Sequence, residues 1–172
     1  MSYFMVDIEA DGPIPGDYSM IALGAVKVEV GLSENFVGYL RPISEQWSAP
    51  ALAVSGFSRE ETLSFETPEQ VLLDFETWLH QHNKGQMVFV SDNNGFDWMF
   101  VCWYFHHFLG RNPFGHSSQN LGSLYKGFVR DSFQSFKHLR QTPHTHHPLD
   151  DARGNAEALL ALKAQGFKLS FK

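Results

Sequence analysis

Cysteine occurs once, as Cys102, so no disulfide framework can staple this chain and its stability has to come from a packed core. Cys102 lies inside the apolar run Trp98 to Phe105 and is read as a buried packing residue. That run is also the longest apolar stretch, far short of the roughly 18 residues a membrane-crossing helix needs. Basic residues are scarce as well. Thirteen Lys and Arg stand against nineteen Asp and Glu, a net charge of −6 with no dense cationic run. A long basic face that tracks polyanions by phosphate contacts is therefore excluded. The first nine residues carry Asp7 and Glu9 and no positive charge, the wrong pattern for a secretory signal. Repeats, low-complexity tracts and linkers are missing too. What is present, 43% hydrophobic against 19% charged residues, excludes disorder. A soluble, cytoplasmic protein with one globular domain over residues 1–172 and no membrane partner is expected.

The hydrophobic pattern predicts strands at Tyr3–Glu9, Met20–Val30 and Asn35–Pro42, the first ended by Asp11-Gly12, and so a three-stranded meander. A long loop is expected over Ile43–Phe65. Thr67-Pro68-Glu69-Gln70 then supplies an N-cap, a proline at the first helical position and a capping-box glutamine. Val71, Leu72, Phe75, Trp78 and Leu79 continue that helix to His82. Gln86–Ser91 has the fully apolar character of a buried parallel strand. Helices are expected at Phe96–Leu109 before Gly110, at Asn120–Val129, and at Pro148–Gln165 before Gly166. The order predicts an α/β fold with a mixed sheet flanked by helices.

Three segments break the apolar pattern with acids. In Val6-Asp7-Ile8-Glu9, residues two apart share a strand face, so Asp7 and Glu9 present paired carboxylates while Val6 and Ile8 pack behind. Such a pair is destabilising unless a cation sits between the two, or unless the face is simply solvated. In Ser91–Asp97 an apolar strand runs into a polar turn, and Asp97 opens a helix whose next residues are Trp98, Met99, Phe100 and Val101. Favourable placement against the helix dipole is the plain alternative for Asp97. In His146-His147-Pro148-Leu149-Asp150-Asp151, Pro148 suits a first helical turn. The histidines then fall just before a helix and the aspartates inside its start.

Together these segments resemble the DEDDh branch of the DnaQ-like exonucleases, which includes ribonuclease T, oligoribonuclease and proofreading exonucleases. Asp7 and Glu9 match its first motif, Asp-x-Glu. Asn93, Phe96 and Asp97 match Asn-x-x-Phe-Asp at a strand–helix junction. His146, Leu149, Asp151 and Ala152 match the third, whose spacing selects His146 over His147 and Asp151 over Asp150. Ala51–Phe57 is similar to the loop between third strand and first helix in this family, so the likeness spans nearly the whole chain in order. Glu9–Pro13 resembles the first motif of the small stand-alone 3′–5′ exoribonucleases. Two departures stand out: Ala10-Asp11-Gly12 replaces the usual Thr-Thr-Gly, and Asp92 replaces a common histidine.

The resemblance implies a ribonuclease H-like fold and a 3′–5′ exonuclease acting on nucleic-acid 3′ ends. RNA is the expected substrate, with DNA-directed proofreading or repair and an inactive nucleic-acid-binding module as alternatives. It implies Asp7, Glu9, Asp97 and Asp151 as ligands for two divalent cations, Mg²⁺ or Mn²⁺, which prefer carboxylate oxygens. His146 would be the general base. Trp47 and Phe57 would stack on terminal bases, Asn93 would contact substrate, and Met20 would wedge beneath the last base. A homodimer is implied by the same likeness. With no cysteine and no second histidine pair near His144-Thr145-His146-His147, a structural zinc site is not expected. His144 and His147 are read as exposed loop residues.

Overall fold

A computed structural model describes residues 1–169; residues 170–172, the end of the expected domain, lie outside the described residues. Five strands form one mixed sheet in the order β3-β2-β1-β4-β5. They are β1 (Ser2–Ala10), β2 (Met20–Lys27), β3 (Asn35–Tyr39), β4 (Met87–Ser91) and β5 (Ser118–Asn120). The first three make the predicted antiparallel meander, while β4 and β5 run parallel to β1. This is the mixed, helix-flanked sheet of a ribonuclease H-like fold.

Alternation along β1 divides the core. Phe4, Val6, Ile8 and Ala10 face one hydrophobic cluster with Leu72, Phe75, Phe100 and Tyr104, brought by α3 (Pro68–His82) and α4 (Asn94–Tyr104). Tyr3 and Met5 face the other cluster, closed by α5 (Leu121–Val129) and α6 (Pro148–Ala164) through Leu121, Ala156, Leu159 and Leu162. The face holding α6 is therefore the face on which Asp7 and Glu9 project.

Several expectations are corrected. The loop expected over residues 43–65 contains two short helices, α1 (Ala49–Ser55) and α2 (Arg59–Leu63), the second started by a full capping box between Ser58 and Glu61. At α3 the box is half made. Thr67 accepts from Gln70 N, but the Gln70 side chain turns forward to Asp74. Strand β2 stops at Lys27, whose backbone turns to pair with Glu34, and β3 stops at Tyr39. The helix expected through Leu109 ends as α-helix at Tyr104 and continues as a π-helical turn, Phe105–Leu109, closed by left-handed Gly110. Strand β5 was not expected.

Candidate active site

The acids meet at the carboxyl ends of the parallel strands, where open α/β sheets form their ligand crevices. Asp7 and Glu9 come from β1. Asp97 is the fourth residue of α4, which follows β4, and Asp151 is the fourth residue of α6, which crosses the sheet. A glycine makes the last approach possible. Gly24 is the β2 partner of Asp7, and a Cβ there would overlap the backbone of Pro148 and Leu149. Without that carbon the start of α6 lies directly on the sheet. One carboxylate oxygen each from Asp7, Glu9 and Asp151 then fall within 4.8 Å of one another. Asp97, 3% exposed, accepts a hydrogen bond from Ile8 N on Oδ1 at 3.3 Å, and its buried Oδ2 has no partner.

Burial and mutual repulsion dominate the electrostatics. Burial pushes the Asp7 carboxyl well above the usual range, with further upward pressure from Asp97, Asp151, Glu9 and Asp92. Glu9 rises to about 8 through burial and then the charges of Asp151 and Asp97. Asp97 rises to about 7, again chiefly by burial. Asp92 is also raised by burial, although Lys137, Arg140 and His144 oppose the shift. Hard oxygen donors packed together, one with an orphaned atom, fit divalent cations. Asp7, Glu9, Asp97 and Asp151 are the residues that could hold them.

Asp151, 1% exposed, is held from several sides. Thr145 N and His146 N donate to its two oxygens at 3.2 and 3.1 Å. Arg140, with its side chain 7% exposed, places a guanidinium nitrogen 2.8 Å from Oδ1. That guanidinium lies across Gly154, where a Cβ would collide with it. Neither Arg140 nor Gly154 was singled out from the sequence. The available signal was a glycine within an otherwise Ala-rich helix, which weakens the helix unless something packs closely there. His146 is exposed at the mouth of the cluster with a left-handed backbone, φ 60°.

The expectation for the neighbouring histidines holds only in part. His144 is exposed, yet its Nδ1 lies 2.8 Å from Asp151 Oδ1. His147 is half-buried because it precedes the closely packed start of α6, and its Nε2 lies 3.1 Å from the Tyr39 hydroxyl.

Among the expected substrate contacts, Met20 has no exposed surface. It packs in the core, its backbone N donating to the Tyr104 hydroxyl, so it has no face to offer a base. Trp47 is 43% exposed, just before α1. Phe57 is half-buried, edge-on to Tyr39 and Phe65. Asn93 is exposed at the start of α4, its side chain making no capping bond. The departure at Asp11 has a structural cause. Fully buried, its carboxylate accepts from Ser19 N and from Arg59, and its backbone oxygen from Ser48 N. It thus ties the segment after Glu9 to α1 and α2.

The exonuclease family model, RNase T, matches residues 4–159. The chain is 36% identical to the 3′-5′ DNA exonuclease Cap18 of Escherichia coli over 165 residues, 90% of this chain and 88% of that protein. Among solved structures, the nuclease domain of 3′hExo, a DEDDh family member bound to rAMP, superposes with a TM-score of 0.79 at 20% identity, covering 99% of this chain and 96% of that one. Exonuclease I of Escherichia coli in complex with a 5cy-dT13 oligonucleotide superposes at 0.74 and 15% identity, over 96% of this chain and 41% of that one. These two likenesses speak for the fold. No helix among the described residues is long and apolar enough to cross a membrane. The family match over most of the chain and the 36% identity along nearly the full length of a curated relative place this chain in the exonuclease, RNase T, family.

Proposed function

We propose that this chain, by family a metal-dependent 3′–5′ exonuclease, acts as one domain that removes nucleoside 5′-monophosphates singly from single-stranded or overhanging 3′ ends. The supporting observation is the convergence of carboxylates from β1, α4 and α6 on one crevice, with Asp7, Glu9 and Asp97 held above the ordinary carboxylate range chiefly by burial. Asp7, Glu9, Asp97 and Asp151 hold two divalent cations, Mg²⁺ or Mn²⁺. Metal there supplies an activated water at neutral pH and charge stabilisation at phosphorus and the leaving 3′-oxygen. The chain does the rest. Asp97 keeps Oδ1 on the Ile8 amide and offers its unpartnered Oδ2. Arg140 and two backbone amides fix the Asp151 carboxylate before anything binds. The exposed His146 imidazole takes the proton of the attacking water and returns it to solvent. Trp47 offers an exposed ring for the terminal base, and Phe57 and Asn93 add contacts to the substrate; Met20 is left out.

Two sugars are in play. RNA is supported by the Glu9–Pro13 motif variant, DNA by the relative that matches along nearly its whole length. DNA takes precedence, because a likeness along 165 residues outweighs one of five. RNA and DNA oligomers of matched sequence, labelled at the 5′ end and incubated with Mn²⁺ or Mg²⁺, test both points. A ladder shortening from the 3′ end is expected, faster on DNA. Faster loss of RNA reverses the order of the two, and no shortening of either overturns the hydrolytic reading.

A further inference from the structure

His144, unused in the proposed hydrolysis, leans on the same carboxylate as His146. Its Nδ1 lies 2.8 Å from Asp151 Oδ1, and its ring meets that of His146 edge to face with centroids 4.2 Å apart. One ligand atom each from His144, His146 and Asp151 fall within 4.8 Å of one another. The arrangement has a cost, since His146 adopts a left-handed backbone that non-glycine residues seldom take. The amides of Thr145 and His146 offset it by donating to Asp151, which anchors the segment carrying both imidazoles beside one carboxylate.

Two imidazoles and one carboxylate differ in kind from the all-oxygen cluster beneath. They are the donors of a borderline transition ion, and three protein ligands with a side open to water suit four-coordinate Zn²⁺. His144 is half exposed, so an ion has a way in. The Arg140 guanidinium on Asp151 Oδ1 opposes a second positive charge, but Asp7 and Glu9 lie close to the same carboxylate and offset it.

We propose that His144, His146 and Asp151 form a second, transition-metal site, specific for Zn²⁺ or a similar borderline cation, and that filling it switches turnover off. The occupied site withdraws the His146 imidazole and an Asp151 oxygen from hydrolysis. This inhibition rests on the proposed function; the binding does not.

The test uses the full chain stripped with chelator, with Co²⁺ as a spectroscopic stand-in and Zn²⁺ itself as ligand. Wild type should develop the strong visible absorption of a four-coordinate cobalt centre, bleached by added Zn²⁺. His144→Ala, an exposed change checked by an unaltered melting curve, should lose that absorption and bind Zn²⁺ about tenfold or more weakly. Glu9→Gln, which thins the carboxylate cluster, should keep the absorption. In the presence of Mn²⁺, Zn²⁺ should inhibit wild-type hydrolysis, and His144→Ala should need about tenfold more Zn²⁺ for the same fractional loss, each protein referred to its own zinc-free rate. Cobalt absorption unchanged in His144→Ala, absent from wild type, or lost in Glu9→Gln overturns the site. Equal zinc sensitivity of wild type and His144→Ala overturns the switch. A wild type that hydrolyses nothing refutes the proposed function and leaves the cobalt result standing on its own.

Discussion

Removing a charge from the carboxylate cluster should stabilise the metal-free fold while destroying its activity, and Glu9→Gln shows this most directly. The Glu9 carboxyl is raised from an ordinary 4.5 to about 8, first by burial and then by Asp151 and Asp97. Below 4.5 the carboxyl is protonated in both folded and unfolded chains and nothing is lost. As pH rises, the unfolded chain ionises first, so the fold loses stability progressively until about pH 8. At about 1.36 kcal/mol for each tenfold change in proton affinity, the full loss has a ceiling of roughly 5 kcal/mol. Glutamine keeps a buried polar group whose imperfect pairing takes back about 1–3 kcal/mol. The net gain of roughly 2–4 kcal/mol corresponds to a rise in melting temperature on the order of 5–10 °C for a chain of this size. Thermal melts by circular dichroism in EDTA at pH 5 and pH 8 measure it. The variant should melt well above wild type at pH 8 and level with or slightly below it at pH 5, where the glutamine's own cost is nearly all that remains. Millimolar Mn²⁺ should reverse the order, because a cation bound only to the native state stabilises wild type more. A Glu9→Gln protein that melts at or below wild type at pH 8 in EDTA, or an offset equal at both pH values, would refute the reasoning.

His146→Ala should lower the hydrolytic rate about 10²–10⁴-fold while its urea midpoint stays at the wild-type value, since the side chain is exposed; a near-normal rate removes His146 from the role of base. Gly24→Ala should cost about 1–3 kcal/mol, because the new Cβ must push the start of α6 off the sheet, and its rate should fall as Asp151 withdraws. Denaturant midpoint and single-turnover rate are the paired measurements there, and an undisturbed variant would contradict the close approach. Arg140→Met should cost about 3 kcal/mol in EDTA by leaving Asp151 among acids without its counter-charge, and added Mn²⁺ should recover part of the loss. Equal destabilisation with and without Mn²⁺ would assign Arg140 to packing alone.

What could be read from the sequence follows from what periodicity encodes. The division of the core by β1, and hence the face on which Asp7 and Glu9 project, is a period-two pattern and needed no tertiary knowledge. The long helices α3 and α6 announced themselves through Pro68 and Pro148 at their first positions. Helices α1 and α2 are too short to show a period and form only because tertiary contacts support them. Even so, Ser58-Arg59-Glu60-Glu61 carried a capping-box signature inside the expected loop. Strand β5, Ser118-Gln119-Asn120, has no apolar residue at all. It is a strand because β4 presents a free edge at Phe89–Ser91, a fact about residues thirty positions away.

The same distinction explains the candidate site. Local rules conflict where chemistry is placed, and the conflict is visible in one dimension: two acids in a buried strand, one acid opening an aromatic helix, two histidines before a proline. Met20 misled for the complementary reason. Its place just past the first motif fixed its neighbours in sequence but not its burial, which depends on Tyr104, eighty-four residues away. Arg140 and His144 break no local rule, since an arginine and a histidine are ordinary in a polar segment. Their significance comes only from the carboxylate they meet, and that meeting needs Gly24 to admit α6 and Gly154 to admit the guanidinium. A site of this kind is therefore legible in the side chains that are costly to bury, and hidden in the groups and the missing carbons that make their burial tolerable.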